Sequence, residues 1–162
     1  MPLQIRPATP DDAEAQWAIL RAVLAAGDTY AWPSDATREQ ALALLHPPGG
    51  WTFVAVADGG VVGTYYLKAN FLGPGDHVAN CGYMVAPEAR GRGVGEALCR
   101  HSLDQARAHG FRAMQFNAVV GTNTGAIRLW ERCGFAIVGT VPAAFRHPEH
   151  GEVAVHVMHR RL

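Results

Sequence analysis

Apolar positions recur along this chain with two periods. From Ala13 through Trp17, Leu20 and Leu24 the spacing is helical, whereas Trp51 to Ala57 and Val61 to Lys68 are β-branched and aromatic runs typical of strands. The helical stretch follows a short alternating segment, Leu3 to Arg6, which predicts a first strand. Thr9-Pro10-Asp11-Asp12 supplies a cap, a proline at the first helical position and acids at the positive end of the dipole, and Gly27 stops the helix. After the loop GDTYAWPSD, Thr37 and Gln40 read as a capping box, and Ala41, Leu44 and Leu45 carry a second helix as far as Pro47. Asp58-Gly59-Gly60 between the two strand runs predicts a hairpin.

The second half repeats the alternation of types. His77 to Val85 reads as a strand. Beyond it Gly95, Leu98, Cys99, Ser102, Leu103 and Ala106 form one helical stripe, opposite Glu96, Arg100, Asp104 and Arg107. Gly110 ends that helix. Ala113 to Val120 is the next strand, a helix runs from Thr122-Asn123 to Gly134, and Phe135 to Val141 and Glu152 to His159 are two final strands joined by a turn-like FRHPEHG. The order predicts an α/β (α+β) domain. Its central sheet is mixed and mostly antiparallel, with about six to seven strands flanked by about four helices and one β-α-β step in the middle.

Composition narrows the function classes. A chain of 162 residues fits one domain, 1–162, and 14 basic against 14 acidic side chains give no broad field for nucleic acid or an anionic membrane surface. No apolar run approaches the ~20 residues that span a bilayer, and MPLQIRPATPDD lacks a basic-then-apolar leader pattern. Cys81, Cys99 and Cys133 are widely spaced and odd in number, which fits neither a disulfide framework nor a CxxC zinc site. A cytoplasmic protein without a metal is expected. His156 and His159 stand at odd spacing on a strand, so their side chains point to opposite faces.

The candidate chemistry lies in VAPEARGRGVGEAL, Val85 to Leu98, between a strand end and a helix start. There, glycines let backbone N–H groups converge on one point that the helix dipole makes favourable for a phosphate, and Arg90 and Arg92 offer forked guanidinium groups. A glycine turn with merely solvated arginines is the plainer alternative. Two known cradles fail: the third glycine of GxGxxG would fall at Glu96, and no GK[ST] follows for a P-loop.

What does fit is R-x-x-G-x-G, with Arg90, Gly93 and Gly95, preceded by a strand ending Val85-Ala86-Pro87. This resembles the GCN5-related N-acetyltransferase (GNAT) family, and a second block agrees. Asn123 to Phe135, NTGAIRLWERCGF, is similar to that family's N-x-x-A-x-x-x-Y-x-x-x-G-F helix.

The resemblance implies an acetyltransferase that uses acetyl-coenzyme A as cosubstrate, with direct attack by an amine in a ternary complex. Backbone amides along Arg90, Gly91, Arg92, Gly93, Val94 and Gly95 would hold the pyrophosphate, and the preceding strand at Met84 and Val85 would bond the pantetheine arm. A backbone N–H near Met84 or Val85 would face the thioester oxygen, where the family's central strand bulges and parts from its neighbour. Asn123 contacts the cofactor arm in relatives, and it also reads as a plain helix N-cap.

Trp130 departs from the family pattern, because many relatives carry there a tyrosine that protonates the leaving thiolate. Indole N–H donates a hydrogen bond but is no acid near neutral pH. Tyr83, Tyr65 or Tyr66 are candidate substitutes from the sheet, and water is another, since a free thiol titrates near pH 8.5.

A narrower resemblance, carried by Phe116 to Asn123 with tryptophan in place of tyrosine, is to fungal acetyltransferases that act on azetidine-2-carboxylate and other proline analogues. Those enzymes hold the substrate and its amine with asparagines in the central strands. Asn117 matches one such position and Asn80 another. A polar amide in an apolar strand must find a partner or cost about 1–3 kcal/mol. Each could equally satisfy a neighbouring backbone group. Thr29 and Tyr30 lie in the loop that roofs the acceptor pocket in relatives. His147 or Glu149, in the last hairpin, could act as a base through water, although a solvated turn is the plainer reading. The expected partner is a small-molecule amine, with a homodimer through the terminal strands common among relatives. A coenzyme A sensor without turnover and a protein or peptide N-acetyltransferase are the competing readings.

Overall fold

The computed structural model describes residues 2–162. The chain runs β1 (Gln4–Pro7), α1 (Ala13–Ala26), α2 (Arg38–Leu45), β2 (Trp51–Ala57), β3 (Gly60–Ala69), β4 (Val78–Val85), α3 (Val94–Ala108), β5 (Ala113–Val120), α4 (Thr124–Arg132), β6 (Ala136–His147) and β7 (Gly151–Arg161). The seven strands form one sheet in the order β1-β2-β3-β4-β5-β7-β6. Only β4 and β5 are parallel neighbours, joined through α3. The others pair antiparallel. This is the expected mixed sheet with four helices.

The two sheet faces have different coverings. On one, Gln16 of α1 donates to Thr64 Oγ1 (3.1 Å) in β3. On the other, α3 meets Tyr65 through His101 and Tyr83 through Ser102. The core is built where both faces are covered: Leu20, Leu45, Leu67 and Leu98 are fully buried, and each contributes about 1.5–3 kcal/mol of transfer free energy. α3 buries Leu98, Cys99, Ser102, Leu103 and Ala106 as its stripe predicts, with Val94 rather than Gly95 completing it.

Local departures have local causes. Pro10–Asp12 forms a 3-10 turn rather than the first turn of α1. Asp12 there receives the Arg6 guanidinium on both oxygens (2.8 Å each) and the Thr9 N–H. α1 buries Gln16, Ile19, Leu20, Val23 and Leu24, so its inner stripe is rotated from the Ala13-Trp17 line. β6 continues past Val141 to His147, beyond the predicted end. The register against β7 shifts between Val141 and Phe145, and Pro142 and Ala143 (φ 49°) sit in that bulge. A bulge tolerates a proline that a regular ladder would not.

Candidate active site

β4 and β5 begin as a parallel pair at Val78/Ala113 and Ala79/Met114, and then they part. β4 itself runs against β3 without a shift from Ala79 to Val85. The expected bulge in this strand is therefore not found. An irregularity lies instead in β5, where the register against β7 shifts between Phe116 and Val119.

Asn80 stands at the apex of the opening. Its Nδ2 donates to the Gln115 carbonyl of β5 (3.0 Å), and its Oδ1 accepts from the Tyr66 hydroxyl (3.4 Å). Where the ladder would have continued, a side-chain amide takes up a main-chain carbonyl. The structural reading of Asn80 is thus realised: it ties the two strands at the point where they separate.

The unshifted pairing decides which amides face the gap. Asn70 N–H donates to the Val78 carbonyl (2.8 Å) and Ala86 N–H to the Val62 carbonyl (2.9 Å). Backbone groups alternate in direction along a strand, so Asn80, Gly82 and Met84 face β3, while Cys81, Tyr83 and Val85 face the opening. Of the two positions expected as oxyanion donor, Met84 has its amide committed to the sheet, whereas the Val85 amide is directed into the gap. The amides directed into the gap are those of Tyr83 and Val85.

The far end of the opening is the glycine turn. Gly91 (φ 73°) and Gly93 (φ 79°) hold left-handed conformations, and a Cβ added to either would meet nothing within 4 Å. The first amides of α3, from Val94 onward, have no partner within the helix, and they add a partial positive charge beside that open backbone. Val94 buries its side chain, so it can offer only its amide. At Gly95 an added Cβ would meet Leu129 of α4 at 3.5 Å, an ordinary van der Waals contact. Arg90 is exposed at the turn. Arg92 reaches instead to Asp58 in the β2–β3 hairpin (3.3 Å). Among the described residues these features fit the pyrophosphate expected there: helix-start amides without an intrahelical partner, no side chain beside Gly91 or Gly93, and an exposed Arg90 guanidinium.

Asn123 caps α4, its Oδ1 accepting from Ala126 N–H (3.2 Å). Trp130 packs between Tyr83 (ring centroids 4.9 Å) and Phe116 (5.2 Å) and forms an aromatic wall on the α3 side. Tyr83 does not replace the missing acid. Its hydroxyl bonds Ser102 (2.7 Å) and Met114 (3.5 Å) beneath α3, and burial holds its pKa far above the ordinary phenol value. Tyr65 is similarly occupied with His101 (2.8 Å). Burial pushes the Cys81 thiol up to about 12, which keeps it protonated.

The opposite face collects polar groups. The Tyr30 hydroxyl donates to the Tyr83 carbonyl (2.9 Å), which pins the α1–α2 connection over the gap. Trp32 lies between Tyr30 (4.9 Å) and Tyr66 (6.2 Å). Tyr66 can lie flat on β4 only because residue 82 is glycine, since a Cβ there would stand 2.5 Å from its ring. Asn117 is exposed on β5. It accepts from Gln115 Nε2 (2.9 Å) and donates to Asn70 Oδ1 (2.7 Å).

Sequence reasoning singled out Asn80 and Asn117 and missed Asn70, Gln115 and Gly82. The alternation Gln115-x-Asn117 was the one available signal. Thr29 is half-buried in the roofing loop. His147 is not brought to this cluster. It sits in the β6–β7 hairpin, where its Nδ1 accepts from the Glu149 and His150 amides (3.1 and 3.3 Å), an ordinary turn cap. Among the described residues no group of three or more His, Cys, Asp or Glu could hold a metal ion, and no helix is long and apolar enough to cross a membrane.

Comparison with known proteins agrees with this geometry. The model of the acetyltransferase (GNAT) family matches residues 17–135. A solved structure of a GCN5-related N-acetyltransferase from Kribbella flavida is 52% identical and superposes with a TM-score of 0.94, covering 99% of this chain and 98% of that one. A phosphinothricin acetyltransferase from Sinorhizobium meliloti, solved in complex with AcCoA, is 26% identical with a TM-score of 0.87, covering 100% of this chain and 89% of its own. Among curated relatives, the N-acetyltransferase aca1 of Schizosaccharomyces pombe is 38% identical over 90 residues, 56% of this chain and 43% of that protein. Streptothricin acetyltransferase of Streptomyces lavendulae is 34% identical over 96 residues, 59% of this chain and 49% of that protein. The matched stretch therefore spans about half the length of these curated relatives or less.

Proposed function

This chain belongs to the acetyltransferase (GNAT) family, and from that premise we propose that it transfers the acetyl group of acetyl-coenzyme A to the amine of a small molecule, an amino acid or proline analogue. The observation that carries the reading is the parting of β4 from β5 beyond Ala79/Met114, with a glycine turn and the start of α3 at its end. The cosubstrate supplies an activated thioester; the protein supplies the place where it is held and attacked.

Tyr83 and Val85 present backbone amides to the gap, and one of them stabilises negative charge developing on the thioester oxygen. Gly91 to Gly95 and Arg90 hold the pyrophosphate. Asn123 adds a cofactor contact from the start of α4, and Trp130 walls the arm without acting as an acid. The leaving thiolate takes its proton from water, because each sheet tyrosine is engaged elsewhere or buried.

The acceptor enters from the face that carries Tyr30, Tyr66 and Asn117, with Thr29 in the loop above. Small-molecule acceptors named for similar proteins, streptothricin and phosphinothricin, support this class. The aromatic roof of Tyr30, Trp32 and Tyr66 on this face supports a small amine over a peptide. Ile137, Val138 and Val141 are exposed on the edge strand β6 and fit a homodimer contact. Three free, buried cysteines suit a reducing cytoplasm.

A thiol-release screen of acetyl-coenzyme A against amino acids, their analogues, polyamines and peptides tests the reading. Release that depends on a small amine is expected. Binding of acetyl-coenzyme A without release for any amine would point to a sensor, and release with peptides alone to a protein acetyltransferase.

A further inference from the structure

Lys68 is the single lysine of the sequence, and every other strongly basic side chain is an arginine, whose guanidinium stays protonated and does not attack an acyl carbon. The sequence thus carries one side-chain amine. It stands on β3, where Lys68 is the cross-strand partner of Asn80 and lies two residues beyond Tyr66, the partner of Gly82. Alternation puts Tyr66 and Lys68 on one sheet face, the face roofed by Tyr30 and Trp32.

The Tyr66 ring links this amine to the strand that borders the gap. It reaches from β3 across β4: a Cβ on Gly82 would stand 2.5 Å from it, and its hydroxyl donates to Asn80 Oδ1 (3.4 Å). Lys68 Nζ lies 5.9 Å from the centroid of the same ring, at the range where a cation is drawn to an aromatic face. The residue after Gly82 is Tyr83, whose amide is directed into the gap. Lys68 is half-buried, and among the described residues no carboxylate pairs with it, so no ion pair holds the amine away from the opening. Its stem is a flexible four-carbon chain.

Resting on the acetyltransferase reading, we propose that Lys68 is a self-acetylation site. With acetyl-coenzyme A bound and no acceptor present, the neutral Nζ attacks the thioester carbonyl carbon. A C–N bond forms and the C–S bond breaks. Coenzyme A leaves as a thiolate that takes a proton from water, and the proton shed by the nitrogen passes to solvent. Because the thioester and the amine are held on the same chain, the step is unimolecular, and the amine meets the thioester at an effective concentration far above that of a lysine in bulk solution. The product removes a positive charge and its attraction to Tyr66, and it leaves a bulkier neutral amide at the edge of the acceptor face.

The test incubates the full chain with acetyl-coenzyme A alone and follows it by intact mass and peptide mapping. A single acetyl group at Lys68 is expected, formed with a first-order rate independent of protein concentration and matched by an equivalent of free thiol. Lys68→Arg should lose the label and keep its affinity for acetyl-coenzyme A by calorimetry. Gly93→Glu retains Lys68 but weakens the cosubstrate site, and it should be labelled at least ~10-fold more slowly than the wild type. Equal labelling of Lys68 in Gly93→Glu is ordinary acylation from solution and overturns the proposal, as does a rate that rises with protein concentration. An unlabelled Lys68 in wild-type protein that binds acetyl-coenzyme A also overturns it and leaves the acetyltransferase reading intact. Absence of that binding removes both.

Discussion

The two halves of the candidate site are made of different materials. The donor half is backbone: the amides of Tyr83 and Val85, two left-handed glycines and the first turn of α3. The acceptor half is side chain, assembled from β3, β4, β5 and the α1–α2 connection, with each segment contributing one or two groups. Backbone recognition tolerates no Cβ or charge in the wrong place but takes little from any one side chain. Side-chain recognition can be retuned residue by residue.

The sharpest way to break the donor half is Gly93→Glu. It puts a non-glycine residue at φ 79° and a carboxylate in the turn proposed to hold the pyrophosphate. Affinity for acetyl-coenzyme A is expected to fall at least ~100-fold by calorimetry, about 3 kcal/mol, with the far-ultraviolet spectrum unchanged. The boundary between the halves is tested by Asn80→Ala. Removal of the tie leaves the Gln115 carbonyl unpaired at the apex and is expected to cost about 1–3 kcal/mol in denaturant unfolding.

This split also explains what could be read from the chain alone. The donor half is local in sequence, so R-x-x-G-x-G and the α3 stripe announced it together with the element order. The acceptor half is local only in space. Asn70 and Gln115 are ordinary polar residues until the sheet order sets β3, β4 and β5 side by side. Gly82 carries no signal of its own in the sequence; its reason is the Tyr66 ring that lies across it. The resemblance left Met84 and Val85 both open as amide donors; which of them points into the gap depends on the register with β3. The extension of β6 was hidden by Pro142, which the bulge accommodates.

On the acceptor half, Asn117→Ala should raise the KM for the acceptor ~10-fold and leave acetyl-coenzyme A affinity and melting temperature nearly unchanged, since Asn117 is exposed. An equal loss of cosubstrate affinity would erase the division between the halves.

The pH dependence gives a smaller effect. Burial pushes the Tyr66 phenol up to about 12, so it stays protonated through the working range and supplies no limb to the profile. kcat/KM should rise with pH until the acceptor's own amine is neutral, and Tyr66→Phe should leave that shape intact. The smallest effect is remote from both halves. Asp12 is held at about 2, chiefly by the hydrogen bonds from Arg6. Its contribution to stability is present above the ordinary carboxylate range, near pH 4, and is lost as pH falls towards 2. Acid unfolding of Asp12→Asn should lack that part of the pH dependence.

The central claim is that alternate amides of β4 are divided between the sheet and the cosubstrate. Residue-resolved amide hydrogen exchange, with and without acetyl-coenzyme A, tests it most directly. The account predicts new protection at Tyr83, Val85 and the amides from Gly91 to Glu96, while Met84 is protected in both states. A Met84 amide that exchanges freely until the cosubstrate binds, with Tyr83 and Val85 unchanged, would contradict it.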